Sequence, residues 1–142
     1  MVATIYKLAE TAADYDDAYE LCQAEDFDLQ GQELEFPTVL AYEDHECVGF
    51  MSCHIQDDMV VSGPLLLRSE VRRPITALRL CEAFERELGK TGVSRYIISV
   101  NKDSILAEAI PRYSPMMKPY ANDGTNNFYI RQIGKFQNGR EG

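Results

Sequence analysis

Arg72 and Arg73 stand directly before Pro74, where a strand-like run gives way to a helix-like one. Guanidinium groups pair well with phosphate and carboxylate oxygens. The first turn of a helix adds unpaired N–H groups and the positive end of the helix dipole. The combination describes an anion site; solvated arginines on an ordinary strand-to-helix connection are the alternative. The thiols and imidazoles suggest less. Cys22, Cys47, Cys53 and Cys81 show no C-x-x-C spacing, and each lies in an apolar periodic segment. They read as reduced core thiols rather than disulfides or metal ligands. With only His45 and His54 besides, a zinc set is not expected.

The stretch that positions the arginines runs from Gly63 to Gly92, and the rest of the chain is arranged around it. Pro64 to Leu67 is a buried strand end, and Arg68 to Arg73 is polar and charged. Pro74 suits the first turn of a helix, where its missing N–H and fixed φ do no harm. From Ile75 onward Ala77, Cys81, Phe84 and Leu88 recur every three or four residues, with Arg79, Glu82, Glu85, Arg86 and Lys90 between them. Glu82 and Arg86 are spaced for an i,i+4 pair, and Gly89 and Gly92 supply stops.

A chain of 142 residues, 45% hydrophobic and 26% charged, is expected to form one domain over residues 1–134, with 135–142 as a frayed tail. No apolar run approaches the roughly 18 residues that a membrane span requires. The start, MVATIYKLAE, has no basic segment leading into a long apolar one, so the cytoplasm is the expected compartment. A formal charge of -9 argues against binding nucleic acid through a neutralising basic surface. Much of the excess lies between Asp14 and Glu35. That acidic third reads as a solvated face, or as a surface for a basic partner.

In chain order, Val2 to Leu8 reads as a strand. Thr11 to Asp14 is a capping signature before a helix of about 12–24. Glu25 to Phe36 has room for a short second helix. Thr38 to Ile55 reads as a hairpin turning at Glu43 to Glu46. In its second strand Cys47, Met51, Cys53 and Ile55 take one face, and Val48, Phe50 and His54 the other. Both faces are apolar, as in a strand covered on both sides. Asp57 and Asp58 mark a turn into Met59 to Leu67, where Gly63 and Pro64 predict a bulge. Arg95 to Asn101 is a buried strand, a helix follows to about Ile110, and a last hairpin is formed by Ser114 to Ala121 and Phe128 to Ile133. The order β-α-(α)-β-β-β-α-β-α-β-β predicts an α/β fold, a mixed central sheet flanked by helices on both faces.

This order and several strings resemble the GNAT superfamily of acyl-CoA-dependent N-acetyltransferases over about residues 2 to 134. AYEDHECVGF, from Ala41 to Phe50, looks like the family's second-to-third strand hairpin, with its V-G-F. LLLRSEVRRPITALRL, from Leu65 to Leu80, is similar to the fourth strand and the pyrophosphate loop, R-x-x-G-x-G. Arg72 matches the first arginine of that loop, but glycine is missing at both later points. Asn101, Arg112 and Tyr113 resemble the family's N-x-x-A-x-x-x-Y-x-x-x-G-F run; its tyrosine position is held by Glu108.

The resemblance implies transfer of an acetyl group from acetyl-CoA to an amine of a small molecule or protein. Backbone at Leu65, Leu66 and Leu67 would polarise the thioester. Arg72, Arg73, Pro74, Ile75, Thr76 and Ala77, with Asn101, would hold the cofactor. His54 and Glu70 are the nominees for the base. Glu108 falls where the family keeps its acid, and Tyr113 where it keeps a packing aromatic. The competing expectation is a catalytically inactive member that binds a protein partner through the acidic first third; a small-ligand sensor is a third. A homodimer is compatible with each.

Overall fold

The computed structural model describes residues 3–102 and 117–133. Its order is β1 (Ile5–Leu8), α1 (Ala12–Ala24), β2 (Val39–Glu43), β3 (Glu46–Gln56), β4 (Met59–Leu67), α2 (Pro74–Gly89), β5 (Arg95–Asn101), β6 (Met117–Asn122) and β7 (Asn126–Gln132). All seven strands form one sheet in the order β1-β2-β3-β4-β5-β7-β6. Every pairing is antiparallel except that of β4 with β5. The expected strands at Val48 to Ile55 and Tyr96 to Val100 are both interior.

Helix α1 begins as the sequence requires. Thr11 Oγ1 accepts from the Asp14 N–H at 3.2 Å, and the Asp14 carboxylate accepts from the Thr11 N–H, closing a capping box. Its inner side meets Leu40, Phe50 and Leu66 across one face of the sheet. Helix α2 starts at Pro74 and packs Ala77, Leu80, Cys81, Phe84 and Leu88 against Met51, Leu67, Tyr96 and Ile98 on the opposite face. Two cores therefore sandwich β2, β3 and β4. No short helix forms between Glu25 and Phe36: positive φ at Asp26, Gln30 and Gly31 turns that segment away from helical geometry.

Two hairpin turns, at Asp44–His45 and Asp57–Asp58, carry positive φ at both residues, the geometry that continues the natural twist of paired strands. At the first turn the expected faces of β3 are altered. Ala41 pairs with Gly49 but Tyr42 pairs with Cys47, so Val48 is an extra residue. The bulge turns Val48 to the α2 core with Met51 and Cys53, and Cys47 to the α1 core with Phe50. Plain alternation assigned these two residues the other way round. The spaced pair Glu82 and Arg86 gives way to an ion pair of Glu82 with Arg79 at 3.0 Å.

Candidate active site

The bulge expected at Gly63 and Pro64 is present, and it shapes the site. Met51 pairs with Leu65 while Cys53 pairs with Ser62, so β4 carries the additional residue. Gly63 has a φ of 120°, which a side chain would make costly. On the other edge of β4 the parallel pairing with β5 ends at Ser62 opposite Ile98. Beyond that point the two strands part.

A cleft of about 610 Å³ opens where they separate, lined on one side by Ser62 to Leu67 and on the other by Ser99 and Val100. The backbone of β4 points polar groups into it. The Arg68 N–H donates to the Val48 carbonyl at 2.8 Å, which makes this a hydrogen-bonded pair of the β3–β4 ladder. By the alternation of an antiparallel ladder Leu66 also bonds toward β3. The N–H groups of Leu65 and Leu67 therefore face the edge that β5 has left.

Arg72 also lines the cleft, and its guanidinium donates to the Leu67 carbonyl at 3.4 Å. Arg73 turns elsewhere, to the Glu43 carboxylate on β2 at 2.8 Å. The Thr76 and Ala77 N–H groups both donate to the Arg73 carbonyl. Pro74 has no N–H, so the start of α2 offers the cleft fewer donors than a glycine-rich loop. Ser69 donates to the carboxylate of Glu25 at the end of α1. That hydroxyl, the Ser69 N–H and the nearby Arg68 and Arg72 hold Glu25 below the usual carboxylate range.

The third wall is the segment after α1, contributing Phe27, Asp28, Leu29, Gln30 and Gln32. The Gln32 amide nitrogen lies 3.5 Å from His54 Nδ1 and 3.4 Å from the Gly63 carbonyl. A carbonyl only accepts, so this contact fixes which end of the amide faces the imidazole. His54 is thereby placed with its Nδ1 as acceptor.

Of the residues proposed from sequence, His54, Leu65, Leu66, Leu67 and Arg72 come together around the cleft. Glu70 is exposed in the short turn Ser69–Val71 and is not among the lining residues. Ile75 is exposed, while Thr76 and Ala77 are buried at the foot of α2. Asn101 ends β5. Glu108 and Tyr113 lie outside the described residues. Gln32, Ser62, Ser99 and Asn126 were missed, because only the tertiary fold brings their distant positions to one cleft. Among the described residues no group of three or more His, Cys, Asp or Glu could hold a metal ion.

Comparison with solved structures finds this fold repeatedly. PaiA N-acetyltransferase from Thermoplasma acidophilum, in complex with coenzyme A, superposes with a TM-score of 0.67 at 13% identity. The match covers 92% of this chain and 99% of that one. An acetyltransferase of the GNAT family from Staphylococcus aureus gives 0.63 at 11% identity, over 92% and 99%. Diaminobutyrate acetyltransferase EctA from Paenibacillus lautus, in complex with L-2,4-diaminobutyric acid and coenzyme A, gives 0.66 at 15%, over 93% and 96%. This is the GNAT acetyltransferase fold. No family model matches the sequence, and no curated protein does. The GNAT likeness is thus carried by backbone, with identities too low to transfer a substrate.

Proposed function

We propose that this chain is a divergent GNAT N-acetyltransferase that moves the acetyl group of acetyl-CoA to a primary amine. The observation that carries the reading is the parted β4–β5 edge, with the Leu65 and Leu67 N–H groups directed into a cleft that Arg72 also lines. Preorganised N–H donors facing a low-dielectric cleft suit the charge that develops on a thioester oxygen during attack. Arg72 supplies charge-assisted hydrogen bonds for a diphosphate at the α2 end. The residues present therefore fit acetyl-CoA, with Arg72 doing more of the binding than the helix N–H groups.

When bound, acetyl-CoA supplies the activated acyl group. The protein's part is to hold it, exclude water and move protons. His54 sits across the cleft with Gln32 and takes the proton of an incoming ammonium once the Gln32 amide moves off Nδ1. The acceptor enters past Phe27 and Asp28, an aromatic and a carboxylate that suit a cation.

Incubation with acetyl-CoA and a panel of primary amines, read as release of free CoA thiol, tests the proposal. Release that depends on both substrates is expected. Binding of acetyl-CoA without release for any small amine or amine-bearing peptide would favour the non-catalytic alternative.

A further inference from the structure

The side-chain amide of Gln32 meets two acceptors at once, His54 Nδ1 at 3.5 Å and the Gly63 carbonyl at 3.4 Å. An amide NH2 carries two hydrogens, one for each. The bulge makes the second acceptor available. No residue of β3 or β5 is in register with Gly63, and its carbonyl meets the Gln32 wall instead. Both contacts are long for hydrogen bonds, so the amide is held weakly. The backbone is held separately. The Gln32 N–H donates to the Leu29 carbonyl at 3.0 Å, and the Leu34 N–H to the Tyr19 hydroxyl at 3.1 Å. The side chain can therefore swing away while its wall stays in place.

A primary ammonium matches the same two acceptors. It offers three N–H donors, and its charge makes its hydrogen bonds stronger and shorter than those of a neutral amide. The pair is also placed for chemistry. Only Pro64 separates Gly63 from Leu65, whose N–H faces the cleft. A nitrogen bound between the Gly63 carbonyl and Nδ1 thus has a base on one side and, along β4, a thioester held at Leu65 on the other.

We infer that the Gly63 carbonyl and His54 Nδ1 form the subsite for the acceptor's ammonium, and that the Gln32 amide is its placeholder, occupying the subsite until the amine displaces it. The inference rests on the acetyltransferase reading and adds where the nitrogen binds. On displacement one N–H of the ammonium points at Nδ1 and another at the Gly63 carbonyl. The first proton passes to Nδ1 and the electron pair stays on the nitrogen, which becomes a neutral amine. Because Nδ1 was the acceptor, Nε2 already carried the hydrogen of the neutral ring, so His54 becomes imidazolium. Rotation about the amine's C–N bond then brings the lone pair to the acyl carbon.

The probe is methylammonium, added to the protein with CoA bound so that no acyl group is present to react. Nitrogen NMR reads the His54 ring and the Gln32 side-chain amide; His54 is one of two histidines in the chain, which simplifies assignment. Methylammonium should shift both sets of signals. Tetramethylammonium, of equal charge but without an N–H, should shift neither. Gln32→Ala, which empties the subsite, should bind methylammonium roughly 2- to 10-fold more tightly, the equivalent of the hydrogen bonding that no longer has to be displaced. In turnover the same variant should have a lower KM for the amine. Gln32→Met, similar in length but without an N–H, carries the same comparison should Gln32→Ala disturb the wall. Unchanged or weaker binding of methylammonium by these variants would overturn the inference and leave the acetyltransferase reading standing. A wild type that releases no CoA thiol with any amine would overturn both.

Discussion

His54 and Asp14 show how differently two ionisable side chains can be used. His54 is half-buried against Gln32 in the cleft, and replacing it by Asn should lower kcat by about 100-fold with little change in the KM for acetyl-CoA. An unchanged rate in steady-state kinetics would show that solvent deprotonates the amine. Asp14 has a structural task. The Glu10 N–H first, then the Lys7 ammonium, depress its carboxyl to about 2 from the ordinary 3.8. A pKa lowered by folding stabilises the native state fully above the unfolded value and progressively less as pH falls through the folded one. Asp14 should therefore contribute about 2 kcal/mol above pH 4 that is lost between roughly pH 4 and 2. Urea unfolding of Asp14→Asn should show a matching loss at pH 7 and almost none near pH 2. At this scale the sequence was partly legible: Thr11 and Asp14 announce their cap, but nothing near Arg73 reveals Glu43, thirty residues back, as its partner.

Strands and helices were more legible than their faces. Pro74 opens α2, the Asp-rich tips turn the hairpins, and β5 spans the expected Arg95–Asn101. What alternation misses is a bulge, because one inserted residue exchanges the two faces beyond it. That happened at Val48, beside a glycine whose role is now physical. A Cβ on Gly49 would come within 2.5 Å of Leu67 Cδ2 and 3.1 Å of the Leu66 carbonyl oxygen. Leu67 is packed beneath α2, so it has little room to yield. Gly49→Ala should cost about 1–3 kcal/mol by denaturant unfolding. It should also weaken acetyl-CoA binding, since β4 forms the cleft wall. A variant as stable as the wild type would mean that β4 shifts freely.

For the whole molecule, the element order was enough to expect a mixed sheet between two helical layers, and the solved acetyltransferases share it at 11–15% identity. The cleft itself was not readable, since it arises from the parting of two strands more than thirty residues apart in sequence. All four thiols are buried, and burial pushes those of Cys47 and Cys53 up to about 11 and 12. The native protein should therefore interfere little with thiol-based assays of CoA. The most direct measurement is calorimetric titration of acetyl-CoA into the wild type, Arg72→Ala and Arg73→Ala. The account predicts binding by the wild type and a loss of roughly 10- to 100-fold for Arg72→Ala, as expected for a charged hydrogen bond. Arg73→Ala, already committed to Glu43, should bind nearly as well as the wild type. No heat of binding at millimolar acetyl-CoA, together with no rise in Tm, would contradict it.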